Sequence, residues 1–262
     1  MSIVKELDHT GIRVADMDAS LRLYRDLLGG TVIRDFTPTD GSMRLVYIQL
    51  AQGVLELISL KSPQNAQMGL AHIAFKLPQD ADIYAAAQAV RNAGYNITVE
   101  PKPASSSLGQ ICFFEDMAGC TYELVKSEQN DHIANLANER ILRLHHISIR
   151  VDNQSVANTE NLLGNVLGLA RGHSLEIGDN TWQSYKIGDN LIGLFNTKAA
   201  PRPPRPLALV VFDITDAADM RRHLVENGIE VTDIMTAGIG DIIFATGPDG
   251  EKLEFIERKE RV

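Results

Sequence analysis

The octapeptide LDHTGIRV at residues 7–14 returns as LHHISIRV at 144–151, with Leu, His, Ile, Arg and Val in register, so that His9 matches His146. A strand-like run that recurs within 262 residues means copies of one supersecondary unit, which restricts the fold more than composition does. Behind each copy comes a helix-like run closed by glycine, SLRLYRDLLGG at 20–30 and NTENLLGNVLGL at 158–169. Glycine just past the last apolar turn marks a helix C-terminus. Three β-rich runs follow, at 31–36, 43–50 and 54–60 in the first copy and at 170–177, 181–188 and 191–197 in the second. The intervening quarters repeat the plan. LAHIAFKLPQ (70–79) matches LALVVFDITD (207–216), helices are predicted near 80–93 and 216–227 with Gly94 and Gly228 at their ends, and later strands lead to YELV (122–125) and LEFI (253–256). Period-2 alternation in the strands completes a reading of four βαβββ units in an α+β chain.

Four residues in these strands carry chemistry. His9 and Glu56 are spaced by 47 residues, and His72 and Glu123 by 51. Two facing units would bring two imidazoles and two carboxylates together as a divalent-metal site. In a strand alternate residues share a face, so His9, Gly11 and Arg13 point one way. Small Gly11 leaves room for a ligand, and Arg13 offers a cation to an anionic substrate group.

The formal net charge of −9 and the lack of a long basic run argue against a nucleic-acid partner. There is no run of about 18 apolar residues and no apolar stretch of signal-peptide type, so a cytoplasmic protein without a membrane partner is expected. Cys112 and Cys120 flank a turn; they could sit on neighbouring strands, but buried thiols in a reducing compartment are the simpler reading. The expected organisation is one domain over 1–127, a linker or bridging helix over 128–143 with Ile133, Leu136, Ala137 and Ile141 on one face, and a second domain over 144–262. The proline-rich stretch NTKAAPRPPRP (196–206) is expected to be a stiff surface connection.

LDHTGIRV, DASLRLYRDLLG, LELI, LAHIAF and FFEDMAGCTYELV resemble the vicinal oxygen chelate superfamily, which includes glyoxalase I, methylmalonyl-CoA epimerase, extradiol dioxygenases and fosfomycin-resistance proteins. The resemblance implies that the four units form two half-open mixed-sheet barrels, the glyoxalase/bleomycin-resistance/dioxygenase fold. It implies His9, Glu56, His72 and Glu123 as ligands to one divalent ion, with Ni, Zn, Co, Mn and Fe all admitted by that donor set. It also implies a small-molecule substrate with adjacent oxygens, an enediolate-like intermediate, and Glu123 or Glu56 as the base that moves the proton. Glu56 favours a glyoxalase-type isomerase or lyase, because the epimerase generally has an amide there and the dioxygenases use three ligands. Arg13 falls where glyoxalase I has an arginine for the glutathione carboxylate; LISLKSPQ after Glu56 lacks the asparagine expected for glutathione.

The second half departs from this pattern. His146 and Glu254 keep the His9 and Glu123 places, but Gly193 replaces Glu56 and Leu209 replaces His72. If each half closes on itself, the first has four ligands and the second is degenerate. If units exchange, His9 groups with Glu56 and Glu254, and His146 with His72 and Glu123. The second of those sets is the two-His-one-carboxylate type of non-haem iron oxygenases. The alternatives to the lyase are therefore an extradiol dioxygenase with Fe(II) or Mn(II), or a non-catalytic binding or resistance protein. Arg150 takes the place of Arg13 in the degenerate half, so that arginine also reads as a scaffold feature. Trp182 and Tyr185 read as core, and Glu115 and Asp116 as turn residues. Because the duplication can make within one chain a pairing usually made by two, both monomer and homodimer fit.

Overall fold

The computed structural model describes residues 2–64, 66–104, 109–127, 131–198 and 206–259. The first quarter runs β1 (Glu6–Arg13), α1 (Met17–Leu21), β2 (Thr31–Phe36), β3 (Met43–Leu50) and β4 (Gly53–Leu60). The second runs β5 (Gly69–Lys76), α2 (Ile83–Asn92), β6 (Asn96–Pro103), β7 (Gln110–Glu115) and β8 (Thr121–Lys126). In the third come β9 (Ile141–Val151), α3 (Val156–Asn161), β10 (Ala170–Ile177), β11 (Asn180–Ile187) and β12 (Asn190–Asn196). The fourth holds β13 (Leu207–Ile214), α4 (Ala217–Glu226), β14 (Met235–Ala237), β15 (Gly240–Thr246) and β16 (Lys252–Arg258). The βαβββ plan thus recurs four times, and most predicted strands agree with the observed ones to within a residue or two, although β9 starts at Ile141, inside the segment expected to be a linker.

Local chemistry explains the helices. Asp16, Asp82 and Asp216 cap α1, α2 and α4 by accepting backbone N–H groups of the first turn. Gly94 and Gly228, both at positive φ, end α2 and α4 where an L side chain would be strained. The first and third helices do something the apolar pattern did not announce. Each widens into a π turn, over Arg22–Leu27 and Leu162–Val166, with Leu28 N–H donating to Leu23 O and Leu167 N–H to Leu162 O.

The strands form two eight-stranded mixed sheets, ordered β2-β3-β4-β1-β5-β8-β7-β6 and β10-β11-β12-β9-β13-β16-β15-β14. The first two quarters share one sheet and the last two the other, the α+β architecture expected from the repeat. β5 pairs parallel with β8 and β13 with β16, and hairpin neighbours are antiparallel.

By proximity of Cα atoms the chain forms two compact units. One holds Met1–Thr10, His72–Asn130 and Ile147–Ala208, the other Gly11–Ala71, Asp131–His146 and Leu209–Val262. Inside the first unit, buried Asp116 accepts from Tyr122 Oη (3.0 Å), Thr159 Oγ1 (2.7 Å) and Cys120 N–H (2.9 Å), tying the second quarter to the third. Turn chemistry alone therefore understates Asp116. Inside the second unit, Tyr24 Oη donates to Glu251 Oε1 at 2.6 Å, tying the first quarter to the fourth.

The described residues 131–140 form no helix, so of the linker and bridging helix expected over 128–143 they have the form of the linker. Asn135 sits at φ 55°, and the Asn138 side chain accepts from Arg140 and Ile141 N–H, holding turns that lead into β9. Most of the proline-rich stretch, 199–205, lies outside the described residues. Among the described residues no helix is long and apolar enough to cross a membrane.

Candidate metal centre

The β5–β8 register sets Ala74 opposite Glu123, and β7 sets Phe113 opposite the same glutamate. His72, two residues before Ala74, shares its face. His9, on β1, completes the group. His9, His72 and Glu123 are 3–4% exposed, all within the first compact unit. Their donor atoms form a near-equilateral triangle. His9 Nε2 lies 3.1 Å from His72 Nε2, and each nitrogen lies 3.2 Å from Glu123 Oε2. The Phe113 ring stands edge-on to His72 with centroids 5.4 Å apart and closes one side of the group in carbon.

Burial by itself would push the Glu123 carboxyl up, but hydrogen bonding and charge from His72 and His9 outweigh it, and Glu123 is held below the usual carboxylate range. With Glu123 ionised, no placement of protons satisfies all three contacts. Protons on both Nε2 atoms set two donors face to face, and removing either leaves a nitrogen lone pair against the carboxylate. A cation resolves that conflict. Two donors bound at about 2.1 Å and roughly 90–110° apart stand about 3.0–3.4 Å from each other, which matches the triangle. The donor set therefore fits a divalent ion, and it groups His9 with His72 and Glu123.

Glu56 is buried on β4 in the second compact unit. It faces Tyr47 across the β3–β4 pair and accepts the Tyr47 hydroxyl at 2.5 Å. Tyr47 stacks on Phe36, and the Arg34 guanidinium lies 5.1 Å from its ring centre. Arg13 is half-buried on β1. Its counterpart Arg150 lies over the Phe195 ring at 5.7 Å.

In the second half the substitutions come as a set. Gly193 faces Ser184 where Glu56 faces Tyr47, and Leu209 packs against Val211, Ile242 and Ile256 where His72 offers a ligand. Phe244 opposite Glu254 repeats Phe113 opposite Glu123. His146 is buried, and burial followed by the charges of its neighbours lowers its pKa to about 3. Burial pushes the Glu254 carboxyl up to about 7 against the opposing pull of Arg258. A carboxyl raised in the folded state is a cost above that pKa: the fold resists the ionisation that the unfolded chain undergoes near 4.5. Glu254→Gln is thus expected to stabilise the protein by about 1–2 kcal/mol at pH 8, after a discount for solvent reaching the group. The gain should vanish below about pH 4.5, where both states are protonated. Denaturant melts of both proteins at pH 8 and pH 4 check this.

The family model of the glyoxalase/bleomycin resistance protein/dioxygenase superfamily matches residues 6–124. The chain is 30% identical over 125 residues to a probable lactoylglutathione lyase of Synechocystis, covering 45% of this chain and 93% of that protein. It is also 30% identical over 124 residues to the lactoylglutathione lyase of Haemophilus influenzae, covering 46% and 91%. The chain belongs to this superfamily. Among solved structures, a mutant 4-hydroxymandelate synthase from Streptomyces coelicolor superposes with TM-score 0.73 at 13% identity, over 99% of this chain and 94% of that one. The 2,3-dioxygenase LapB from Pseudomonas sp. KL28 gives TM-score 0.70 at 18% identity, over 98% and 93%. At those identities the structures share the superfamily fold along nearly the whole chain, while the lyase relatives each match somewhat less than half of it.

Proposed function

We propose that this chain is a divalent-metal-dependent, glyoxalase-type lyase or isomerase acting on the adduct of a 2-oxoaldehyde with a thiol, a small substrate with adjacent oxygens. The observation that carries the reading is the buried triangle of His9, His72 and Glu123. These three would hold the ion, with Glu56 as the fourth ligand that the repeat assigns. A bound divalent ion supplies Lewis-acid stabilisation of negative charge developing on the substrate oxygens. The residues do the rest. Glu123, between two imidazoles and biased toward its charged form, suits holding a cation. Glu123 or Glu56, the latter accepting a hydrogen bond from Tyr47, would take a proton from one substrate carbon and return it to the neighbour. The balance is internal: the thiol-bearing carbon is oxidised to a thioester carbonyl and its neighbour reduced to an alcohol. Phe113 limits water at His72. Arg13 is assigned to an anionic group of the thiol partner.

Two buried free cysteines, whose thiols burial makes harder to ionise, support a reducing cytoplasmic setting. The acidic chain is read as acting on a small molecule, with no nucleic-acid or membrane partner, as a monomer or homodimer.

One observation favours a second reading. His9, His72 and Glu123 are themselves a two-His-one-carboxylate set, the type that holds Fe(II) in ring-cleaving extradiol dioxygenases. The two readings separate in one experiment. Metal-free protein is reloaded with Ni, Zn, Co, Mn or Fe(II) and assayed with methylglyoxal plus glutathione or a smaller thiol, and separately with catechols under oxygen. Thioester formation without oxygen uptake supports the lyase; ring cleavage with Fe(II) or Mn(II) alone replaces it with the dioxygenase. Inactivity in both would leave a binding protein.

A further inference from the structure

The residue before each repeated strand histidine is bonded to that histidine. Asp8 Oδ1 lies 2.7 Å from His9 Nδ1, and at the equivalent place His145 Nδ1 lies 2.8 Å from His146 Nδ1. The two positions differ in what they can do. A carboxylate at position 8 only accepts, so this contact places the His9 proton on Nδ1 and keeps the Nε2 lone pair for the side facing His72 and Glu123. A histidine at position 145 can donate or accept and so imposes no tautomer on its neighbour. This difference follows the ligand set: the carboxylate stands in the half with the three-donor triangle, and the imidazole in the half where Leu209 and Gly193 have replaced two ligand positions.

We infer that Asp8 is a positioning residue for the metal centre, fixing the tautomer and ring orientation of His9 so that Nε2 is presented as a ligand. The inference rests on the metal reading of the His9, His72 and Glu123 group. A carboxylate behind a ligating imidazole raises its basicity and removes the free-energy cost of selecting tautomer and rotamer when the ion binds. Asp8 is close enough to a charged partner's ideal distance to do both. It touches neither substrate nor the reacting atoms in this scheme, so its effect belongs in affinity for the ion.

The test uses the full chain with Asp8→Ala, Asp8→His and Asp8→Asn. Zinc or nickel affinity is measured by competition with a chromophoric chelator, and the tautomer of His9 is read from imidazole 15N shifts of the metal-free protein. Removal of a carboxylate behind a ligand typically costs 10–100-fold in metal affinity. Asp8→Ala and Asp8→His are expected to show that loss and to mix the two His9 tautomers. Asp8→Asn keeps a neutral acceptor of the same shape and should fall between them and wild type, with an unchanged melting temperature showing that the fold is intact. Affinity within about twofold of wild type in Asp8→Asn and Asp8→His, with His9 still protonated on Nδ1, would overturn the inference. Should the wild-type chain bind no ion, the metal reading fails on its own. In that case the 15N spectra still decide whether Asp8 sets the tautomer.

Discussion

Glu123→Gln is expected to abolish tight binding of the divalent ion and to lower kcat/KM by about a thousandfold or more, about 4 kcal/mol of transition-state stabilisation. The size follows from what the carboxylate does at its corner of the triangle. It is the only anion among three donor atoms 3.1–3.2 Å apart, and it is shared by two imidazoles. A neutral amide of the same shape offers one weak oxygen ligand and an NH2 group that points donors at nitrogens meant to bind a cation. Burial makes this worse, since water is poorly placed to compensate. Metal analysis of the purified variant and its steady-state rate check both halves of the statement. A variant that retained one tightly bound ion would remove Glu123 from the ligand set.

The second large effect is expected at Glu56 and has a different signature. Glu56→Gln should reduce kcat by roughly 10²- to 10⁴-fold, the range for loss of a general base, while His9, His72 and Glu123 keep an ion bound, though less tightly. The support is the pairing with Tyr47 and its joint disappearance in the second half, where Ser184 and Gly193 occupy the two facing positions. A residue kept only to fill space would not need its partner changed with it. Tyr47→Phe should give a smaller loss in the same direction, about tenfold, in line with one hydrogen bond to a charged acceptor. Rates at saturating metal distinguish the roles: full activity of Glu56→Gln once excess ion is added would make Glu56 a ligand and nothing more.

The repeat carried most of the fold because it could be read twice. Each strand boundary in the first half had a counterpart in the second, so a weak period-2 pattern at 43–50 was supported by the one at 181–188, and both are strands. The π turns at Arg22–Leu27 and Leu162–Val166 escaped for a physical reason. An apolar spacing of three and four residues fits an α-helix and a locally widened helix alike, and the Leu-Leu-Gly signal marks only the end. The segment 131–140 is the opposite case: its apolar residues are spaced as on a helix, but Asn135 takes a positive φ and Asn138 bonds locally, which favours turns over the bridging helix and leaves the linker.

At the site, the grouping of His9, His72 and Glu123 could be anticipated because each lies in a strand-like run of a repeated unit, with alternate residues sharing a face. Asp8 could not, for that same reason. Adjacent strand residues nominally point to opposite faces, yet its short side chain reaches the Nδ1 of its neighbour. Tyr47 was hidden until the β3–β4 register showed it opposite Glu56, and Asp116 until Thr159, far along the chain, was seen bonded to it. In each case the partner is set by register or tertiary contact, which spacing along one segment does not encode.

The buried triangle of His9, His72 and Glu123 is proposed to hold one divalent ion. The direct measurement is metal content per chain, by elemental analysis of protein purified without chelator, for wild type beside His72→Leu. That substitution writes into the first half what Leu209 is in the second. One Ni, Zn, Co, Mn or Fe per wild-type chain, lost in His72→Leu while the melt shows a folded protein, is the predicted result. A wild-type chain that takes up no ion even from excess metal, or a His72→Leu chain that binds it equally well, would contradict the account.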